Sequence, residues 1–166
     1  MIQRQQSIYL LLIVILGIVL YFVPLVEFTT PAEEGVQRMF ELSPNGITEE
    51  TETYSYRAAN LPEVTFTGVS VLAISTLIIP ALALVILFLF KKRILQARLC
   101  IFLAVLNAGY YAILGVYIWF GKRLIAADWD LLFGACIPLI NLVLTLMAAR
   151  LILKDEALVR AADRLR

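Results

Sequence analysis

VTFTGVSVLAISTLIIPALALVILFLF, residues 64–90, runs for 27 residues without a charge, and its reading decides the fold. A helix rises 1.5 Å per residue, so about 20 residues cross the roughly 30 Å hydrocarbon core of a bilayer. This stretch is long enough to do so. The same condition recurs on either side of it. Residues 7–26 carry 20 uncharged residues and residues 99–121 carry 23; residues 131–149 carry 19, extended by 151–153 beyond the single Arg150. Four such runs predict an all-α membrane protein, a four-transmembrane-helix bundle. Its spans fall at about 7–26, 64–90, 99–121 and 131–153, within one domain covering residues 1–166. Composition agrees: 61% of the 166 residues are hydrophobic and 16% charged, against about 45–50% and 25% in soluble domains. A disordered chain, a disulfide scaffold and an ordinary soluble enzyme domain are thereby excluded.

The net charge of +1 hides an asymmetry between the ends of those spans. Arg4, Lys91, Lys92, Arg93, Arg98, Arg150, Lys154, Arg160, Arg164 and Arg166 flank one side, 10 of the 14 basic residues. The long first loop, 27–63, holds only Arg38 and Arg57 beside eight glutamates: 27, 33, 34, 41, 49, 50, 52 and 63. The third connection, 121–130, holds Lys122, Arg123, Asp128 and Asp130. The positive-inside rule then predicts N-in/C-in topology, with loop 27–63 outward and the 154–166 tail cytoplasmic. Arg4 ahead of an apolar run resembles a signal start, but a secretory h-region is about 7–15 residues and no A-x-A-like site follows. The first span is therefore expected to remain as an anchor. Cys100 and Cys136 fall at depths differing by roughly 20 Å or more, too far for an intramolecular bridge, and read as small packing residues.

Within the spans, polar residues are few and identifiable. Pro24 marks the exit of the first span, and Pro80 kinks the second, releasing the carbonyl of Thr76, which the Thr76 hydroxyl can help to compensate. Either a hinge or static geometry follows from such a kink. Ala108, Gly109 and Ala112 form a smooth strip suited to close helix contact. Gly134, Pro138, Asn141 and Thr145, spaced 4, 3 and 4, share one face of the fourth span. Asn107 and Asn141 lie at depths within roughly 6 Å, so a direct or water-bridged contact is open to them. Asn107, Asn141 and Thr145 are thus candidate helix–helix polar contacts, worth roughly 0.6–2 kcal/mol as interhelical bonds. The functional alternative is a polar lining for a solute.

Outside the spans two segments invite partners. Asn45-Gly46 is a strong hairpin signal, and it predicts a small β-hairpin in the outward loop, Val36–Leu42 with Thr48–Arg57, resting on the helix ends. The loop's glutamates are a solvated face or a docking surface for a basic partner or a divalent cation, although no calcium-loop spacing is present. Trp119 and Trp129 flank the third connection as an interfacial aromatic belt. The tail places Leu151, Leu158, Ala161, Ala162 and Leu165 on one stripe, with Glu156 and Arg160 as an i,i+4 pair. Leu158, Arg160, Arg164 and Leu165 are the candidate contacts to anionic lipid or to a cytoplasmic partner.

Catalytic chemistry finds no foothold in these residues. The chain has no His, so the usual triads and His-based metal sites cannot form. Nucleotide-binding, hydrolase and C-x-x-C motifs are missing. No Asp, Glu or Lys lies inside a span, whereas coupled transporters rely on intramembrane ionisable groups. No catalytic residue, cofactor, metal or nucleic-acid partner is expected, and the chain is read as a non-enzyme.

The opening Met1-Ile2-Gln3-Arg4-Gln5-Gln6-Ser7-Ile8-Tyr9-Leu10-Leu11 and the closing Lys154-Asp155-Glu156-Ala157-Leu158-Val159-Arg160-Ala161-Ala162-Asp163-Arg164-Leu165-Arg166 resemble the domain-of-unknown-function 4293 family of Bacteroidota inner-membrane proteins. The resemblance implies a multi-pass protein of the bacterial inner (plasma) membrane and brings no activity with it. The function expected is an accessory or scaffold subunit of a membrane complex, serving envelope assembly or protein export. Its partners would be membrane lipid and other membrane-protein subunits. The alternatives are a small channel or transporter for uncharged solutes, or a membrane sensor.

Overall fold

A computed structural model describes residues 3–29, 38–51, 70–90, 92–125 and 128–164. Helix α1 is Gln3–Phe22, followed by strands β1 (Val26–Thr29), β2 (Arg38–Ser43) and β3 (Gly46–Thr51). Helices α2 (Ser70–Phe88) and α3 (Arg93–Ile125) come next, then β4 (Asp128–Leu131), a 3₁₀ turn (Phe133–Cys136) and α4 (Ile137–Arg164). Four helices are long and apolar enough to cross a membrane, over Gln5–Phe22, Val71–Phe88, Ile94–Arg123 and Phe133–Val159. Their sides are apolar inward and outward alike. Leu10, Ile13 and Leu20 of α1 pack with Ile79, Ala83 and Ile86 of α2, Cys100 and Leu103 of α3, and Ala148 and Ile152 of α4. Leu11, Ile15, Ile74, Leu77, Ile101, Val105, Ile140 and Val143 face away from the bundle. A helix that is hydrophobic all round belongs in a core or in a membrane. Since α1 lies against α2 and α4, and α3 against α2 and α4, the four close a ring.

The spans differ from their expected limits for local reasons. Helix α1 ends at Phe22, not at Val26, because Pro24 cannot continue it and Val26 is already in a sheet, opposite Leu42 and Leu131. Helix α4 starts at Ile137 after a strand and a 3₁₀ turn, not at 131, and runs unbroken through the tail to Arg164. Residues 64–69 of the expected second span lie outside the described residues. The α2–α3 turn is tight: Leu89 N–H donates to the Ile86 carbonyl (3.2 Å) and Lys92 N–H to that of Leu89 (3.0 Å). Gln96 Nε2 also donates to the Ile86 carbonyl (3.1 Å), taking the second lone pair of that oxygen in the last turn of α2.

At the other end of the bundle the chain forms a four-stranded antiparallel sheet in the order β3-β2-β1-β4. The β2–β3 hairpin is the expected one in kind, but it is shifted. Its strands are 38–43 and 46–51, and Ser43 pairs with Gly46, so the turn centres on Pro44-Asn45 rather than Asn45-Gly46. The φ of Pro44 is preset for the first central position of a common turn, and the Ser43 hydroxyl closes it on the Gly46 carbonyl (2.7 Å). Residues 52–57 of the expected second strand lie outside the described residues. Strands β1 and β4 were not anticipated; the third connection is a strand rather than a simple surface turn. Period-2 alternation puts Val26, Phe28, Phe40 and Leu42 on the buried face. Leu25 extends the ladder both ways: its N–H donates to Leu42 (2.8 Å), and its carbonyl accepts from Leu132 (3.0 Å).

Candidate functional site

Polar side chains inside an apolar bundle need partners, and these meet that need unequally. Asn107, Asn141, Thr145 and Thr76 are all fully buried. Asn107 Nδ2 donates to the Leu103 carbonyl (2.9 Å), and the Thr145 hydroxyl to the Asn141 carbonyl (2.7 Å), both four residues back in their own helices. Asn107 Oδ1 and both side-chain atoms of Asn141 have no protein partner. The two carboxamides therefore do not bond each other. Cross-helix hydrogen bonds come from other residues. The Thr76 hydroxyl donates to the Leu72 carbonyl (2.9 Å) and lies 3.1 Å from the Tyr110 hydroxyl, which joins α2 to α3. Leu72, not the carbonyl released by Pro80, is thus the backbone partner of Thr76. The Tyr111 hydroxyl donates to the Ala135 carbonyl (2.6 Å), fixing α3 to the turn that enters α4.

Two prolines set close approaches. A methyl group on Gly17 would meet the Pro80 ring at 2.9 Å, so α1 and α2 touch where the ring faces the missing side chain. Gly134, on the shared buried face with Pro138, Asn141 and Thr145, is tighter still: a Cβ there would lie 2.2 Å from the Pro24 carbonyl oxygen. By contrast Ala108, Gly109 and Ala112 are exposed, and nothing lies within 4 Å of where a Gly109 Cβ would be. The small strip on α3 faces away from the bundle, not into a helix seam of this chain, because Tyr110, Asn107 and Leu114 take the inward positions.

The sheet's other face carries the charge. Register places Thr48, Glu41, Glu27 and Asp130 in one row across the four strands, three carboxylates side by side. The Tyr21 hydroxyl, at the end of α1, donates to Asn45 Oδ1 at the hairpin tip (3.0 Å) and holds the sheet over the bundle. Trp119 and Trp129 both reach solvent at this end, and the Arg123 guanidinium sits 4.7 Å above the Trp119 ring. Among the described residues no three His, Cys, Asp or Glu side chains converge to hold a metal.

At the tail end, Gln6 Nε2 donates to Asp155 Oδ2, both side chains being buried, while Asp155 Oδ1 has no protein partner. This bond ties the N-terminal turn of α1 to the tail, a contact between residues 149 positions apart that no local pattern marks. Leu158, a candidate contact, is 52% exposed, and Val159 beside it is also exposed. The side chains of Arg160 and Arg164 and all of Leu165 lie outside the described residues. Cys100 and Cys136 are free thiols; Cys100 is a buried packing residue as expected, whereas Cys136 is exposed on the turn into α4.

These features define a multi-pass membrane protein, four apolar helices closed at one end by a small sheet. The whole chain, over residues 2–165, matches the model of the family described as Domain of unknown function (DUF4293), and it belongs to that family. No curated protein and no solved structure matches it.

Proposed function

We propose that this protein is a non-enzymatic scaffold subunit of a bacterial inner-membrane complex. Both termini lie in the cytoplasm and the sheet lies on the periplasmic side, as the 10 basic residues gathered at the tail end and its flanks favour. The observation that carries the reading is the carboxylate row Glu41, Glu27 and Asp130 on the sheet's outer face. Like charges directly opposite one another on neighbouring strands weaken a sheet. A basic surface laid across them removes that cost, so the row fits a docking face for a basic periplasmic segment of another subunit. The exposed Leu158 and Val159 give the tail a second contact on the cytoplasmic side.

The test is a crosslinked pull-down from native membranes in mild detergent. Wild-type protein should recover a stoichiometric membrane partner, and Glu27→Gln/Glu41→Gln/Asp130→Asn should lose it while Leu158→Ala weakens it less. Recovery of wild type only as a monomer or homo-oligomer would overturn the proposal. Loss of the partner from a charge-neutral control variant such as Thr48→Ser would do the same for the role of the row.

A further inference from the structure

The Tyr111–Ala135 bond fixes how far α3 and α4 are slid past each other. Asn107 lies four residues along α3 from Tyr111, and Asn141 six along α4 from Ala135, both running away from the sheet. At the rise of a helix, the two carboxamides are level to within about one turn. Both are 0% exposed. Three of their four polar atoms, Asn107 Oδ1 with Asn141 Nδ2 and Oδ1, have no protein partner. Leaving a buried polar atom unpaired forfeits the hydrogen bonds it made to water, and hydrocarbon outside the bundle offers no relief. Small residues flank the pair, Ala104 one turn from Asn107 and Thr145 one turn from Asn141.

We propose that this level of the bundle is a binding site for water, with ordered molecules bridging Asn107 Oδ1 to the carboxamide of Asn141. The chemistry selects the occupant. Two carboxamides offer a donor and two acceptors, too few oxygens to replace an ion's hydration shell; a water gives two hydrogen bonds, accepts two more, and fits between side chains that do not reach each other. Tyr110 of α3 and Thr76 of α2 already join their hydroxyls, so they do not serve the pair; Leu103, whose carbonyl the Asn107 carboxamide bonds, is the reporter. The site is independent of the docking faces and stands or falls apart from them.

Hydroxyl-radical footprinting by X-ray radiolysis reads the occupant directly, because bound water generates the radical beside the side chains it touches. In lipid nanodiscs, Leu103 should be modified well above Leu10, a residue of the same type that is as deeply buried but lies in the apolar core. In Asn107→Leu/Asn141→Leu the modification of Leu103 should fall to the level of Leu10. A thermal-unfolding cycle is the second arm. Each single substitution should lower the unfolding temperature, and the double variant should lose less than the two together, since the second change removes the group that the first strands. Where a leucine variant fails to fold, Asn107→Ser and Asn141→Ser keep one hydrogen-bonding group and complete the cycle. Wild-type Leu103 labelled no more than Leu10 overturns the proposal. So does an additive cycle, and so does coupling without labelling, which means that the two carboxamides bond directly.

Discussion

The sheet end and the tail end of the bundle are held by different kinds of interaction. At the sheet end the backbone itself is the fastening. Leu25 bonds to Leu42 and Leu132, β1 lies between β2 and β4, and Gly134 and Gly121 admit Pro24 and Phe28 at distances that leave no room for a Cβ. At the tail end single side chains hold the helices, Gln6 to Asp155 and Gln96 to Ile86. Helix α4 then runs on past these ties with Leu158 and Val159 exposed. Backbone ladders and close-packed glycines open only when whole elements move, whereas a side-chain tie opens alone. The sheet end is therefore expected to unfold with the bundle and the tail to open first.

The largest effect should follow from Gly134→Ala. Its methyl group would meet a backbone carbonyl, which cannot swing aside, so sheet and helices must part; a loss of about 3 kcal/mol is expected, at the upper end of overpacking costs. The unfolding midpoint in detergent measures it, and a wild-type midpoint would break the comparison. Next comes Gln6→Leu, which strands the remaining oxygen of a buried Asp155 and should cost about 2 kcal/mol. Here the position of the effect matters more than its size. Hydrogen exchange should rise over residues 150–164 while the sheet stays protected, and a uniform rise through the molecule would refute local opening. Tyr110→Phe, between the two ends, removes one α2–α3 bond but leaves Thr76 its Leu72 partner, for about 1 kcal/mol.

What the sequence made legible follows the same division. Charge-free runs announce helices because a bilayer admits little else, so all four could be read from residue order alone. The sheet was half legible. Its hairpin is local and carries a turn signal, but Val26 pairs with Leu131 across most of the chain, and no local pattern records such a partner. Val26 also closes an apolar run, which disguises the start of a four-residue strand as the end of a span. The buried polar residues could be found by type, Asn107, Asn141, Thr145 and Thr76 standing out among leucines. Their bonds could not, since hydroxyls and carboxamides choose between their own helix and a neighbour at nearly equal distance. Gln6 and Gln96 were hidden because polar residues near span ends look like membrane-surface flanks, and Tyr111 because a mid-span tyrosine passes for an apolar ring.

The smallest effect belongs to a position that neither end uses. Gly109 is exposed on α3 between Ala108 and Ala112, and a Cβ there meets nothing within 4 Å. Gly109→Ala should therefore leave packing untouched and gain about 0.5 kcal/mol by removing glycine's extra backbone freedom. Gly109→Leu should fold as wild type and elute from a sizing column at the same volume. A lowered midpoint for the leucine variant, with loss of a larger species present in wild type, would mean that a second copy packs on the strip in the membrane. The comparison would then need a third surface, one fastened by neither backbone nor side-chain hydrogen bonds but by the close approach of small residues. The alanine variant separates the two cases by sign. On a lipid-facing strip it stabilises, whereas in a tight interhelical seam the same methyl group overpacks and destabilises.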